Sequence, residues 1–118
     1  MAQVLLIEDE PGQLVVRGLI LQRAGHDVLQ AASPSEALAH LATGAAVTVV
    51  TDLRLPRLED GLRLLDEMPP RVRVIVLTGS NEPGLDRLPV FRLLKKPCSS
   101  ALLLAAIADS LDADGHRG

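Results

Sequence analysis

The sequence predicts an α/β fold, with a doubly wound parallel sheet of five strands in the order 2-1-3-4-5 and helices on both faces. Three runs, Val4–Ile7, Val47–Val50 and Val72–Leu77, are apolar at nearly every position. Central strands that helices cover on both faces have this pattern. The runs Asp27–Ala31 and Val90–Leu94 are less apolar and are predicted as edge strands. Helical segments alternate with all five, which favours right-handed crossovers and this strand order.

Local signals bound the first two helices. Pro11 opens the first helix and Gly25 lies just past its end, which is the usual placement of these two residue types. The segment Ser33–Glu36 is a capping box with proline at the first helical position. The second helix is therefore predicted to run to about Thr43 and to stop at Gly44.

The second half of the chain contains one weak element. A third helix is predicted after Gly61 and ends at Pro69-Pro70. The segment Asn81–Pro89 contains two prolines and a glycine, so it allows one helical turn, and the fourth helix is short or degenerate. Ser99 or Ser100 caps the last helix, which is predicted to end at Leu111. We expect one domain over residues 1–112 and a short, frayed polar tail over 113–118.

Composition excludes several classes of function. The 118 residues are 47% apolar with one Phe and no Tyr or Trp, so the core is aliphatic and aromatic platforms for flavins, sugars or single-stranded nucleic acid are missing. A net charge of −3 predicts no nucleic acid partner. The longest apolar run, Ala101–Ala108, is too short to span a bilayer, and no signal segment is present. Cys98 is the single cysteine, which rules out an internal disulfide. We expect a soluble, cytoplasmic protein.

Polar residues follow four of the five predicted strands. Glu8 and Asp9 follow the first strand, Asp52 the third, Thr78 the fourth and Lys96 the last. Ligands bind at this edge of such sheets, near the switch point between strands 1 and 3. Three carboxylates meeting there need a cation, and an all-oxygen site suits Mg²⁺. With a hydroxyl and an ammonium nearby, the set is typical of a phosphoryl site in which Asp52 is the nucleophile.

The chain resembles the response-regulator receiver domains of two-component signal transduction over essentially its whole length. Four segments carry the resemblance, each at a predicted strand end, namely Val4–Glu10, Val50–Pro56, Val76–Gly79 and Lys96-Pro97. The resemblance implies the flavodoxin-like receiver fold. It also implies a phosphorelay role, in which a sensor histidine kinase or a histidine phosphotransferase donates a phosphoryl group, and Mg²⁺ as cofactor.

The resemblance assigns a role to each matching residue. Asp52 matches the phosphoacceptor, Thr78 the switch hydroxyl and Lys96 the lysine that pairs with the phosphoryl group. The implied metal ligands are Asp9 and Asp52 directly, Glu8 through water, and the backbone carbonyl of Arg54. A cis peptide bond is expected at Lys96-Pro97. We interpret Glu10 as a cap or surface residue, Lys95 as solvent-facing and Cys98 as a small, partly buried residue.

The sequence departs from the family pattern before the lysine. Leu93 occupies the position of the usual switch aromatic, and strand alternation places Phe91 on the same sheet face as Leu93. The stretch from Thr78 to Lys96 is also short. Two properties of the family are therefore not expected of this chain from the resemblance. One is the coupling of threonine movement to the rotamer of an aromatic side chain, and the other is dimerisation through the fourth helix. We expect a monomer or weak homodimer.

Two other functional classes stay open. A protein-binding module that keeps the fold but works without phosphorylation is the alternative to a phosphorylatable switch. An enzyme on a similar fold is disfavoured, because the loop after the first strand is acidic and Arg54 interrupts an Asp-x-Asp phosphatase motif. We expect a phosphoacceptor rather than a turnover enzyme. It is either a stand-alone regulator, with its downstream target unknown, or a domain of a larger protein.

Overall fold

The computed structural model describes residues 3–44, 46, 48–81 and 83–115, with side chains described as far as Asp112. Its five parallel strands form one sheet in the order 2-1-3-4-5, which confirms the predicted topology. The elements are β1 Gln3–Ile7, α1 Pro11–Arg23, β2 Asp27–Ala31, α2 Pro34–Ala42, β3 Thr48–Asp52, α3 Leu58–Asp66, β4 Arg73–Thr78, a 3-10 turn Leu85–Arg87, β5 Arg92–Lys95 and α4 Ser100–Gly115. Val47, predicted in the third strand, lies outside the described residues.

Aliphatic side chains form a core layer on each face of the sheet. Along β1, Leu5 and Ile7 face the layer under α2 and α3, while Val4 and Leu6 face the layer under α1 and α4. All four are at most 1% exposed. Because successive side chains of a strand point to opposite faces, a strand covered on both faces must be apolar at every position. The prediction that the first strand is central is therefore confirmed.

The predicted helix signals are present at α1 and α2. The Ser33 hydroxyl accepts the N–H of Glu36 at 3.2 Å, and the Glu36 carboxylate accepts the N–H of Ala32 at 2.7 Å. These bonds satisfy backbone donors that have no partner within the helix. Gly25 and Gly44 follow the two helices with φ of 96° and 77°, a left-handed conformation that glycine adopts most readily. The prediction of a degenerate fourth helix is also confirmed, because one 3-10 turn stands in its place.

The structure corrects the start of the third helix. It begins at Leu58 rather than after Gly61, because the Asp60 carboxylate accepts the N–H of Arg57 at 3.2 Å and closes a first turn before the glycine. Gly61 is buried inside this helix. A Cβ atom there would lie 1.8 Å from the carbonyl oxygen of Leu53, so this glycine marks a close approach to the loop after β3 and no helix boundary.

Two predicted boundaries near the C-terminus were also wrong. The last strand covers Arg92–Lys95, because the N–H of Val90 bonds to the carbonyl of Leu88 in a tight turn before pairing begins. The last helix is capped by the Ser99 hydroxyl, which accepts the N–H of Leu102 at 3.1 Å. It continues past Leu111 to Gly115, since no proline or glycine interrupts it earlier. The expected frayed tail is therefore helical at its start, and residues 116–118 lie outside the described residues.

Phe91 packs on the opposite side of the sheet from Leu93, so the expected shared face was wrong. Leu93 packs against the layer under α2 and α3, and Phe91 against the layer under α1 and α4. Phe91 precedes β5, and strand alternation does not extend beyond the strand. The guanidinium groups of Arg73 and Arg92 lie 5.9 and 5.0 Å from the Phe91 ring centroid.

Candidate functional site

The carboxyl ends of β1, β3, β4 and β5 meet at one edge of the sheet. Strand pairing places Ile7 opposite Thr51, Asp52 opposite Leu77, and Thr78 opposite Lys95. Glu8 is therefore adjacent to Asp52 in the register, and Thr78 follows directly after Leu77, the residue opposite Asp52. Parallel pairing thus brings residues from distant parts of the chain to one edge of the sheet, as the sequence predicts.

Asp52 ends β3 and is largely buried, with 7% of its surface exposed. One carboxylate oxygen accepts the N–H of Arg54 at 3.1 Å. The other forms a short ion pair with the Nζ of Lys96. A carboxylate at a mostly dry strand end needs such a cation, because burial disfavours its charge. The structure thus joins two of the predicted site residues directly.

The chain around Lys96 is held against the end of β4. The N–H of Lys96 donates to the carbonyl of Thr78 at 2.8 Å. The Lys96–Pro97 peptide bond is cis, as expected, and a second cis bond at Leu55–Pro56 was not predicted. Lys95 is exposed, as predicted, and its Nζ donates to the carbonyl of Ser80 at 2.7 Å and to the side chain of Asn81 at 3.0 Å. These bonds tie β5 to the loop after β4.

Glu8 is the most buried acid of the site, with 2% of its surface exposed. Its own N–H donates to the carbonyl of Ala31 at 3.0 Å, and its Oε2 accepts the N–H of Glu10 at 3.3 Å. Burial raises the pKa of this carboxyl, and the charge of Asp52 adds to the increase. The N–H of Glu10 and the cations Lys96 and Arg17 act in the opposite direction. Loss of hydration on burial is therefore the main reason that the charged form of Glu8 is disfavoured.

Asp9 and Thr78 occupy different environments. Asp9 is exposed to solvent, and no described side chain pairs with it. Thr78 is 1% exposed, and its hydroxyl accepts the N–H of Ser80 at 3.0 Å. This bond turns the chain just after β4 and leaves the hydroxyl at the sheet edge beside the Asp52 strand. Glu10 is the N-cap of α1, as interpreted from the sequence, and its carboxylate accepts the N–H of Gln13 at 2.8 Å.

The donor atoms at this edge fit a magnesium ion by their chemistry. Glu8 and Asp52 are neighbouring carboxylates, Asp9 adds an exposed one, and the backbone of Arg54 adds a carbonyl. Oxygen ligands of this kind, together with water, suit Mg²⁺. Among the described residues, no three His, Cys, Asp or Glu side chains already converge on one point that could hold a metal. A bound ion would therefore depend on the Arg54 carbonyl and on water as well as on the acids.

Arg17 is a site residue that the sequence analysis missed. Its Nη1 lies 2.5 Å from Oε1 of Glu8, and its side chain is only 17% exposed. Arg17 lies on the same face of α1 as Leu14 and Leu21, which pack toward the core at helical spacing. A charged residue on the inner face of a helix, beside a strand that ends in acids, is the signal that could have indicated this pair.

Comparison with known proteins decides the family. The profile of the response regulator receiver domain matches residues 4–108. This chain belongs to that family. The receiver domain is 34% identical to the transcriptional regulatory protein GlrR of Escherichia coli K12, over 94% of this chain and 26% of GlrR. It thus spans about a quarter of that relative's length.

Solved receiver domains share the fold over the whole chain. A response regulator receiver domain from Clostridium thermocellum is 29% identical with a TM-score of 0.88, and each chain is covered completely. A CheY-like receiver domain from Methanospirillum hungatei is 25% identical, also with a TM-score of 0.88, over all of this receiver domain and 99% of that one. Within the described part of this receiver domain, no helix is long and apolar enough to cross a membrane.

Proposed function

We propose that this receiver domain accepts a phosphoryl group on Asp52, from a histidine kinase or a histidine phosphotransferase, in a Mg²⁺-dependent reaction. The observation that carries the proposal is the Asp52–Lys96 ion pair at the carboxyl edge of the sheet, with buried Glu8 beside it. A structural ion pair alone would not need a second buried carboxylate. A phosphoryl site needs acids for a metal and a cation for the phosphoryl oxygens.

The proposed reaction is a single displacement at phosphorus. An oxygen of Asp52 attacks the phosphorus of a phosphohistidine, a P–O bond forms, and the P–N bond breaks with its electron pair returning to the imidazole. Asp52 then carries an acyl phosphate. Lys96 stays within reach of the new phosphoryl oxygens because its backbone N–H is anchored to Thr78. The three histidines of this chain are not assigned the donor role, which belongs to the partner.

Asp9, Asp52 and the carbonyl of Arg54 would hold the magnesium ion directly, and Glu8 would act through water. When bound, the ion supplies positive charge that offsets the acids and the phosphoryl oxygens. The protein's part is to position Asp52, which the N–H of Arg54 and the Nζ of Lys96 hold from two sides. The Thr78 hydroxyl is proposed to exchange its bond with the N–H of Ser80 for one with the phosphoryl group.

Intact-mass spectrometry with a small phosphodonor tests this proposal. In the presence of Mg²⁺ the wild-type domain is expected to gain one phosphoryl group, and to gain none when the metal is chelated. Asp52→Asn should gain none. Asp66→Asn, an exposed acid at the end of α3, is the matched control and should behave as wild type. Absence of the mass gain in wild type, with small donors and with histidine-phosphorylated donors alike, would refute the proposal.

One observation favours the alternative, a binding module that works without phosphorylation. Among the described residues between β4 and β5, the one helical element is a 3-10 turn, and Leu93 stands where relatives are expected to have an aromatic switch. Hydrogen exchange with and without beryllofluoride and Mg²⁺ distinguishes a phosphorylation switch from a binding module that works without phosphorylation. A phosphorylation switch predicts altered protection beyond the site, in the segment from Ser80 to Lys95. Unaltered protection there would favour the alternative.

A further inference from the structure

Arg17 forms the least expected charge contact of the receiver domain. Its guanidinium donates to Oε1 of Glu8 at 2.5 Å, while Oε2 of the same carboxylate accepts the N–H of Glu10. Both oxygens of Glu8 are therefore engaged by the protein, and the side chain is only 3% exposed. A cation or water that approaches Glu8 must replace or share one of these partners.

We infer that Arg17 is a built-in counter-cation of Glu8, which competes with Mg²⁺ at the acidic edge and weakens the affinity of the resting site for the metal. The inference rests on the proposed Mg²⁺-dependent function, and it assigns a positioning role to a residue of α1. Arg17 acts through Glu8, its ion-pair partner, whereas Asp52 pairs with Lys96.

The formal charges of the site support a competition between Arg17 and Mg²⁺ for the acids. Glu8, Asp9 and Asp52 bring three negative charges, and Lys96 contributes a positive charge that pairs with Asp52. Arg17 reduces the net charge of the resting site from two negative charges to one. Because the attraction between the site and a divalent ion scales with that charge, the guanidinium must lower metal affinity. It acts at close range and largely out of solvent, where screening by salt is weak.

The guanidinium also has room to move. A cavity of about 510 Å³ lies beside it, and its lining includes Glu10, Gln13 and Val16 from the start of α1. Glu10 is exposed and negatively charged, so it offers a second partner on the same cavity wall. Arg17 can therefore leave Glu8 without losing all electrostatic compensation. If the guanidinium had been tightly packed with no other acid nearby, it would have had no alternative to its contact with Glu8.

Isothermal titration with magnesium chloride at constant pH and ionic strength tests the inference without any phosphodonor. Arg17→Gln is expected to bind Mg²⁺ about tenfold more tightly than wild type, because it removes one unit of positive charge at short range from the metal site. Arg23→Gln, which removes the same charge from the exposed last turn of α1, should stay within about twofold of wild type. Arg17→Lys, which keeps the charge, should remain close to wild type.

A second pair of variants keeps the test decisive if Arg17→Gln folds poorly. Glu8→Gln with Arg17→Gln removes both halves of the ion pair and leaves no buried charge unpaired. Because Arg17 acts mainly through its contact with Glu8, replacing it in the Glu8→Gln background should raise Mg²⁺ affinity by much less than tenfold, leaving only the effect of one nearby charge. A tenfold gain that persists without Glu8 would overturn the inference.

The outcomes separate the inference from the proposed function. If wild type binds Mg²⁺ and Arg17→Gln binds it equally, the inference is overturned and the function stands. If only Arg17→Gln binds the metal measurably, the inference is supported. If wild type and every Arg17 variant bind no Mg²⁺, both the metal-dependent function and the inference fail.

Discussion

Gly61 connects the packing of α3 to the loop that follows the phosphoacceptor strand. A Cβ atom at this position would lie 1.8 Å from the carbonyl oxygen of Leu53 and 2.5 Å from its carbonyl carbon. Both atoms belong to the backbone directly after Asp52. In Gly61→Ala, the helix and this loop must therefore separate by more than about 1 Å. No side-chain rotation can relieve the clash.

The expected cost follows from two opposing effects. Overpacking in a rigid interior costs about 1–3 kcal/mol, and a clash with backbone belongs at the upper end of that range. Alanine gains about 1 kcal/mol over glycine in a helix interior. We therefore expect Gly61→Ala to lower the free energy of unfolding by about 2 kcal/mol.

Gly18→Ala is the matched control. Gly18 is also buried within a helix, but its added Cβ would meet the Nε2 of Gln30 at 2.3 Å, at the tip of an exposed and flexible side chain. That tip can rotate away, so the helix preference of alanine decides the sign. We expect Gly18→Ala to be between neutral and about 1 kcal/mol more stable than wild type.

Urea unfolding followed by far-ultraviolet circular dichroism measures both variants, because the chain has no Trp or Tyr for fluorescence. The reasoning would be refuted if Gly61→Ala were as stable as wild type, or if Gly18→Ala were equally damaging. At urea-free conditions where both variants are folded, Gly61→Ala should also accept phosphoryl groups more slowly than Gly18→Ala. The displaced backbone of Leu53 lies next to Asp52.

Three further predictions concern charges and buried polar groups. Lys96→Met leaves a mostly buried Asp52 without its cation and should lower the free energy of unfolding by about 2 kcal/mol, a value between those of exposed and buried ion pairs. In the same urea assay the control Lys95→Met should cost less than about 1 kcal/mol, and equal effects of the two variants would contradict the argument. The pKa of Glu8 is raised above 4.5 in the folded state, mainly by burial, so the folded protein holds this proton to higher pH than the unfolded chain. In metal-free buffer the contribution of Glu8 to stability is present below pH 4.5 and is lost as the pH rises through the pKa of the folded state. The plot of unfolding free energy against pH for Glu8→Gln should lack this decline, and a slope equal to that of wild type would contradict the prediction. Ser110→Ala removes the partner of the buried Thr48 hydroxyl, 2.8 Å away, and should cost about 1–3 kcal/mol, whereas adding Thr48→Val should recover part of that loss. A double variant less stable than Ser110→Ala would speak against this pairing.

The magnesium and phosphoryl roles of the site residues remain predictions. What the structure adds is their relative placement. Asp52 and Lys96 are in direct contact, and burial raises the pKa of Glu8, to which the charge of nearby Asp52 adds. Asp9 faces solvent, and the Thr78 hydroxyl is held by the loop after its own strand.

Local interactions are what the sequence by itself determined. The Ser33 cap, the helix ends at Gly25 and Gly44, and the apolar run Val4–Ile7 depend on residues within a few positions of one another, and all were predicted. The strand order could be predicted because continuous apolar runs identify the central strands. The site residues could be predicted because parallel strands end at one edge of the sheet.

Tertiary structure alone decided the features that depend on how distant elements pack. The pairing of Arg17 with Glu8 depends on how closely α1 packs on the sheet. The position of Gly61 inside α3 depends on the close contact between that helix and the backbone of Leu53. The side taken by Phe91 depended on where β5 begins. In each case the deciding neighbour lies far along the chain or in another element, and no local pattern specifies such a distance.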